Sequence, residues 1–317
     1  MNNKYLAAIG SSCIDEYYNL KEVPRLGEKV ICTYIESVPG GMIGNAISVF
    51  ASYGVPAYMI DFMNTGKQME FLLDDMKHYH VNVDYVSRDE KLPDTKCIIM
   101  LKDGERIIFV VNNKKKDLVL SEKQIDLLNG SEFVYTTITE LLSLRNYADI
   151  IAGFRKSGSR LVLDAEANTI SKDDAVLSIL RNGDILFINE EGIKRTESYW
   201  GGEFITDLAA SGAMVVFTLG PRGCKILLKG RDYPALPALD VAVRDTTGAG
   251  DTFNASFLYY LSLGRDAGDA AAFATAAAAR SIGILGPRSG AVGEQEVLRF
   301  IKPFRENPAY KNLQIPE

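Results

Sequence analysis

The sequence is poor in the residues that build metal centres and covalent staples. Its 317 residues include four cysteines, two histidines and one tryptophan. Cys13, Cys32, Cys97 and Cys224 stand far apart with no CxxC pair, and His78 and His80 are alternate residues, so the spacing gives neither a disulfide framework nor the pattern of a zinc site. Basic charge is also scarce. With 35 Lys and Arg against 41 Asp and Glu the net charge is −6, which repels phosphate backbones and excludes nucleic acid as the main partner, while leaving room for a local anion site. No apolar run approaches the roughly 20 residues that span a bilayer. The apolar stretch before Gly10 is shorter than a signal core of about 7–15 residues and runs at once into Asp15 and Glu16. The expectation is a cytoplasmic chain with reduced thiols and no membrane partner. Repeats and low-complexity tracts are missing too, and a composition of 47% hydrophobic and 24% charged residues excludes collagen-like, disordered and coiled-coil classes.

What is present is a strand–helix alternation. At roughly 150 residues per domain, the length suits about two domains, or one large α/β unit with an appendage. Tyr5 to Gly10 and Ala57 to Asp61 read as buried strands, with helices over Asn45 to Gly54 and Gly66 to Tyr79. The rhythm resumes with strands at Phe133 to Thr137, Leu161 to Asp164, Ile185 to Ile188 and Val215 to Leu219. Helices are expected near Leu142 to Lys156, Ser171 to Leu180 and Glu203 to Ser211, and the alanine-rich stretch Ala267 to Ala279 reads as a tightly packed helix. Such alternation implies a doubly wound, mostly parallel sheet with helices on both faces, because each parallel pair needs a crossover.

Two segments, 15–38 and 96–112, have β character without helices between them. The second reads as two apolar runs around the Asp103-Gly104 turn. They are expected to form a small β lid on a main domain made of 1–14, 39–95 and 113–317, joined through the glycines of Pro39-Gly40-Gly41. The run Lys114-Lys115-Lys116 reads as a solvated turn, and His78 and His80 as surface or capping residues.

Chemistry is written most clearly in Asp245-Thr246-Thr247-Gly248-Ala249-Gly250-Asp251, which leads into an apolar helix, Ala255 to Leu263. Two glycines flanking an alanine leave backbone N–H groups bare at a helix start, where the helix dipole favours an anion. An Asp there is commonly a cap, but beside an anion site an extra negative charge is costly unless it serves as a base. A second glycine-punctuated turn, Thr218-Leu219-Gly220-Pro221-Arg222-Gly223, leaves a strand at its carboxyl end, where open α/β sheets bind ligands. Near the amino terminus Gly40-Gly41-Met42-Ile43-Gly44-Asn45 precedes a helix and Asp15 follows the first strand; taken singly, each of these polar residues reads as a cap or a turn.

Together and in this order, the DTTGAGD motif, the GGxxxN motif and the glycine turn resemble the ribokinase-like carbohydrate kinases, the PfkB family, over nearly the whole chain. The resemblance implies a doubly wound domain with a β lid that transfers the γ-phosphoryl group of ATP, with Mg²⁺, to a hydroxymethyl group of a sugar or nucleoside. By that resemblance Asp251 is the catalytic base, with Gly248, Ala249 and Gly250 as the anion hole. Asp15, Gly41, Asn45 and Glu140 hold the sugar. Asn189, Thr218, Gly220, Gly223, Gly250 and Thr275 contact ATP. Asp245 and Thr247, with carbonyls of the 281–290 loop, hold a monovalent cation such as K⁺. A homodimer through the lids is also implied, and it would cover edges that flap strands otherwise expose.

The departures bear on specificity. The family's NxxE pattern would put Glu at position 192, where this chain has Gly192 after Glu190 and Glu191. Ribokinases read GSINAD and GGKGAN where this chain reads GSSCID and GGMIGN, and losing two polar groups argues against ribose itself. Ile47 stands where a small residue is usual. Alternatives are a nucleoside kinase, with Tyr17, Tyr18, Tyr34 or Phe109 stacking a base, and a sugar-binding regulatory protein without catalysis, against which Asp251 and the glycine turn weigh. A dinucleotide oxidoreductase is set aside because the first strand leads into GSSCID rather than GxGxxG.

Overall fold

A computed structural model describes residues 4–313 except 104 and 112–114. Six strands run parallel in the spatial order Met214–Thr218, Ile185–Asn189, Arg160–Ala165, Phe133–Thr137, Leu6–Ile9, Ala57–Ile60. Cys224–Leu228 and Arg231–Asp232 extend the first of these edges antiparallel. The chain starts in the strand Leu6–Ile9, builds outward to Ala57–Ile60, and then crosses to Phe133–Thr137 on the other side. This reversal opens a crevice at the carboxyl ends of the strands.

Strands buried on both faces need apolar side chains at every position, and alternate residues feed two cores. Phe133, Tyr135, Val162 and Phe187 meet the helices Met42–Ser52, Ala249–Ser262 and Ala267–Ser281 on one face. Val134, Leu161, Leu163 and Leu186 meet Phe154, Ile179 and Leu208 on the other. The alanine-rich helix is buried along most of its length, and its small side chains let it lie close to Ala249–Ser262, with Phe273 stacked on Tyr260 at 4.1 Å between ring centroids. Among the described residues no helix is long and apolar enough to cross a membrane.

A separate four-stranded sheet is ordered Cys32–Gly40, Cys13–Leu20, Lys96–Lys102, Glu105–Val110. The central pair is parallel and sets Asp15 opposite Cys97 and Tyr17 opposite Ile99, so Asp15, Tyr17 and Cys97 share one face. The other face carries Tyr34, Ile107 and Phe109, all exposed, with Tyr18 edge-on to Tyr34. Its first strand begins at Cys13, so three residues separate this sheet from the main-sheet strand ending at Ile9, and its second strand ends at Gly40. Gly104 of the expected turn and Lys114 lie outside the described residues.

Two local expectations are corrected. The helix expected near Leu142 to Lys156 is two helices, Ile138–Ser143 and Tyr147–Lys156. Leu144 instead bridges to Leu118, and Arg145 N–H donates to the Leu118 carbonyl at 2.9 Å, so the backbone pairing needed for a continuous helix is diverted. Lys115 is not part of a solvated turn. Its Nζ lies 2.9 Å from Asp61 Oδ1, with the two side chains only 4% and 2% exposed. Burial pushes the Asp61 carboxyl up, and Lys115 together with the backbone N–H groups of Ser12 and Phe62 pulls it down.

Removing one partner of such a pair strands a buried charge, which typically costs about 3–5 kcal/mol. Lys115→Ala is therefore expected to lower the urea-unfolding free energy by about that amount, whereas Asp61→Asn combined with Lys115→Met should recover most of it. A loss below about 1 kcal/mol in the single variant would match a surface pair instead.

Candidate active site

The site is assembled where two helix starts meet. Gly248 precedes the helix Ala249–Ser262 with φ +76°, and a Cβ there would lie 1.9 Å from the Pro287 carbonyl oxygen, so only glycine can hold this turn. Gly250 has open space where a side chain would be, which leaves the helix start bare. Asp251 follows in the first turn, 9% exposed. Gly41, at φ +91°, starts the helix Met42–Ser52 and accepts from Asn45 N–H at 2.8 Å. From that helix the Asn45 amide Nδ2 donates to Asp251 Oδ2 at 2.8 Å, and Arg288 Nε donates to Asn45 Oδ1 at 3.2 Å. The guanidinium thus fixes which end of the amide faces the carboxylate. Arg288 is itself 7% exposed and paired with Asp75, and its burial pulls its pKa down to about 10.

Asp15 lies under Gly40, where a Cβ would collide with its carboxylate at 2.1 Å, and it accepts from Cys13 Sγ at 3.2 Å. Asp164 and Glu166, which no sequence motif marks, extend this acidic group from the carboxyl end of the strand Arg160–Ala165. Asp164 accepts from Tyr135 Oη at 3.0 Å and Asn254 Nδ2 at 2.9 Å, yet burial, aided by the charge of Glu166, pushes its carboxyl up to about 7. Burial likewise raises Glu166 and Asp15. Asp251 is raised well above the usual range by burial and by the charges of Asp164, Glu166 and Asp15, against the pull of Asn45. Four acidic groups, three of whose charges bear on Asp251, form a pocket that attracts cations. Asn254 Oδ1, a buried acceptor with no hydrogen-bond partner among the described residues, adds to it.

Beside this group lies a largely apolar cleft of about 460 Å³, bounded by Thr218, Gly220, Gly223, Gly250 and Thr275, with Val241, Val243, Phe253 and Ile282 completing its walls. Gly223 is held at φ +87°, where a Cβ would meet the Leu236 carbonyl oxygen at 1.9 Å. Asn189 sits opposite Thr218 at the strand ends and caps the helix Glu190–Trp200 through Gly192 N–H at 2.8 Å. At Gly192 a Cβ would lie 2.8 Å from Ile188 Cγ1 and 2.9 Å from the Ala165 carbonyl oxygen. Close packing therefore excludes a glutamate there without a backbone shift, and the nearby half-buried carboxylates are those of Asp164 and Glu166 instead.

Asp245 Oδ1 accepts from Thr247 N at 2.9 Å and Oγ1 at 2.7 Å, while Oδ2 accepts from Gly286 N at 3.0 Å, which fastens the 281–290 loop to it. Burial opposes ionisation of Asp245, but these hydrogen bonds and Arg106 outweigh it and hold its pKa below the usual value. Arg106 reaches in from the lid, hydrogen-bonded to Thr247 and 3.8 Å from Asp245. Glu140 belongs to a different group. It lies half-buried in the first turn of the helix capped by Thr137, beside Ser11, Asp61 and Lys115. Arg106, Arg288 and Cys97 carried no motif in the sequence, because strand register and loop packing bring them here.

A family model described as pfkB family carbohydrate kinase matches residues 3–292. The chain is similar to the ribokinase of Bacillus subtilis, 26% identical over 301 residues and covering 92% of this chain and 97% of that protein. In fold it is similar to an Arabidopsis thaliana ribokinase complexed with ribose and ATP, with a TM-score of 0.80 at 22% identity over 95% of this chain and 99% of that one. It is also similar to a nucleoside kinase of Methanocaldococcus jannaschii, with a TM-score of 0.79 at 18% identity over 95% and 98% of the two chains.

A carboxyl whose pKa is raised on folding binds its proton more tightly in the native state, so stability is present below the unfolded pKa and is lost as pH rises toward the folded one. For Asp164 that window runs from 3.8 to about 7. Urea unfolding of the nucleotide-free protein should therefore lose stability more steeply across pH 4–7 than unfolding of Asp164→Asn, in which the other carboxyls still titrate. Equal slopes would place Asp164 at an ordinary pKa.

Proposed function

The chain belongs to the pfkB family of carbohydrate kinases, and from that premise we propose that it transfers the γ-phosphoryl group of ATP to a hydroxymethyl group of a monosaccharide or sugar derivative. The observation that carries this reading is the Asn45–Asp251 hydrogen bond at a helix start whose backbone is bare. In this reading that carboxylate takes the proton of the alcohol, next to N–H groups suited to the transferring phosphoryl charge.

In this reading the apolar cleft takes the adenine, with Thr275 at its wall. Thr218, Gly220, Gly223 and Asn189 lie along the path of the phosphates toward Gly248, Ala249 and Gly250. The sugar lies between Asp251 and the lid face, its hydroxyls held by Asp15, Asn45 and the backbone at Gly41, with Glu140 at the far end. Asp251 accepts the proton of the attacking hydroxyl as the new P–O bond forms, and Asn45 keeps the carboxylate aimed. Arg106, arriving with the lid, adds positive charge next to the anion site and helps exclude water that would otherwise take the phosphoryl group.

Mg²⁺ suits the acidic group. Asp164 and Glu166 would support it in place of a residue-192 carboxylate, and when bound it neutralises charge on the phosphates. Asp245 and Thr247, beside the 281–290 loop, are proposed to hold a monovalent cation such as K⁺, for which hard oxygen donors are suited.

A nucleoside acceptor is the second reading. It is favoured by Tyr17, whose half-buried ring lies on the pocket face near Asp15 and Thr247 and whose hydroxyl pKa burial raises to about 12. Tyr34 and Phe109 lie on the outer face, where they cannot stack a bound base. With Ile107 they form an exposed apolar surface on the lid, and we propose that a second copy of the chain covers it in a homodimer.

Coupled ADP release with ATP, Mg²⁺ and K⁺ across ketoses, aldoses, sugar acids, sugar phosphates and nucleosides is expected to reveal one acceptor class. Asp251→Asn should lower kcat on that acceptor by about 10²–10⁴ while calorimetric ATP affinity is retained. Turnover that survives within about tenfold would remove Asp251 from the role of base, and a silent wild type that binds sugar would favour a regulatory binding protein. In sedimentation velocity, Phe109→Asp is expected to shift a dimer toward monomer. A monomeric wild type would overturn the lid contact.

A further inference from the structure

Cys13 and Cys97 are 84 residues apart in sequence, and their Sγ atoms stand 3.7 Å apart. Cys13 Sγ is also 3.2 Å from Asp15 Oδ1, and one ligand atom from each of the three residues lies within 4.8 Å of the other two. We propose that Cys13, Asp15 and Cys97 form a binding site for a soft divalent cation such as Zn²⁺, with three protein ligands and a fourth position facing the pocket beside Asp15.

The arrangement follows from strand geometry. Cys13 and Asp15 are two apart on one strand and so share a face. The parallel neighbour sets Cys97 directly opposite Asp15, which brings its thiol to the same side. With Zn–S bonds of about 2.3 Å, two thiolates at neighbouring corners of a tetrahedron are about 3.8 Å apart, and the observed thiol pair already has that separation. Two thiolates suit Zn²⁺ or Co²⁺ rather than Mg²⁺ or Ca²⁺, which take oxygen ligands. On binding, each thiol gives up its proton to solvent as a sulfur–metal bond forms, and nothing is oxidised or reduced. Two thiolates, one carboxylate and the dication leave a net charge of −1. The buried guanidinium of Arg288, whose charge is felt at both Cys13 and Asp15, offsets it.

Metal binding at these residues does not depend on the kinase reading. One consequence does rest on that reading: a metal ion on Asp15 takes away a ligand of the sugar, so occupancy by metal and by sugar exclude one another.

Co²⁺ is the probe of choice, added to reduced, nucleotide-free protein carrying Cys32→Ser to remove the exposed thiol. The expected result is one equivalent bound, with a near-ultraviolet thiolate-to-cobalt charge-transfer band and the visible bands of tetrahedral cobalt, all displaced by Zn²⁺. Cobalt held only by oxygen ligands at Asp164 and Glu166 would give no such band. Cys97→Ser and Cys13→Ser should each weaken binding at least tenfold and reduce the charge-transfer band, and Cys97→Ala serves if a serine variant fails to fold. No charge-transfer band in the folded protein, an undiminished band in both variants, or a mass two hydrogens lower that shows the two thiols joined as a disulfide under reductant would each overturn the proposal. Should an acceptor be found, Zn²⁺ should raise its KM competitively in the wild type but not in Cys97→Ser. Failure of cobalt binding would leave the kinase reading standing, and failure of the acceptor panel would leave the metal site standing.

Discussion

The site depends on keeping a carboxylate usable in a place that disfavours its charge. Asp251, the base in the proposed reading, is buried, and burial and three neighbouring acids all favour its protonated form. The Asn45 amide is the group that opposes them directly, and it can do so only because Arg288 holds its oxygen and turns its nitrogen toward Asp251. Arg288 is held in turn by the half-buried Asp75 and the Gly40 carbonyl. One hydrogen bond between residues 206 apart thus sets demands on a helix start, a loop near the carboxyl end and the glycine pair at the base of the lid.

This dependence explains the glycines that the motifs display. Gly40 leaves space for the Asp15 carboxylate, and Gly248 leaves space for the Pro287 carbonyl. In each case the absent side chain is a volume that another functional group occupies. Gly192 follows the same logic with the opposite result. There the volume is filled by Ile188 and Ala165, and the acids nearby stand one strand over, at Asp164 and Glu166.

The alternation of buried strands and helices was legible because period and length alone report it, and the glycine-rich turns were legible because their backbone demands leave a sequence trace. Contacts fixed by register were not. Lys115 looks like one of three equivalent lysines until its loop is packed against Asp61. Cys97 looks like one strand residue among many until a parallel neighbour sets it opposite Asp15. The break at Leu144 was equally hidden, since the residues on both sides suit a helix and only the bridge to Leu118 interrupts it. Asp164 could have been noticed as an acid at the carboxyl end of a parallel strand, where such sheets place their ligands.

The lid strand Cys32–Gly40 passes through a single residue, Gly41, into the helix that bears Asn45. The small sheet and the amide that steadies Asp251 are therefore consecutive parts of one stretch of chain, with only about one residue of slack between them. Any swing of the small sheet is delivered to the amide as a lever delivers its stroke to a pawl. The amide already sits against Asp251, so under the proposed reading the position of the small sheet and the aim of the base are set together.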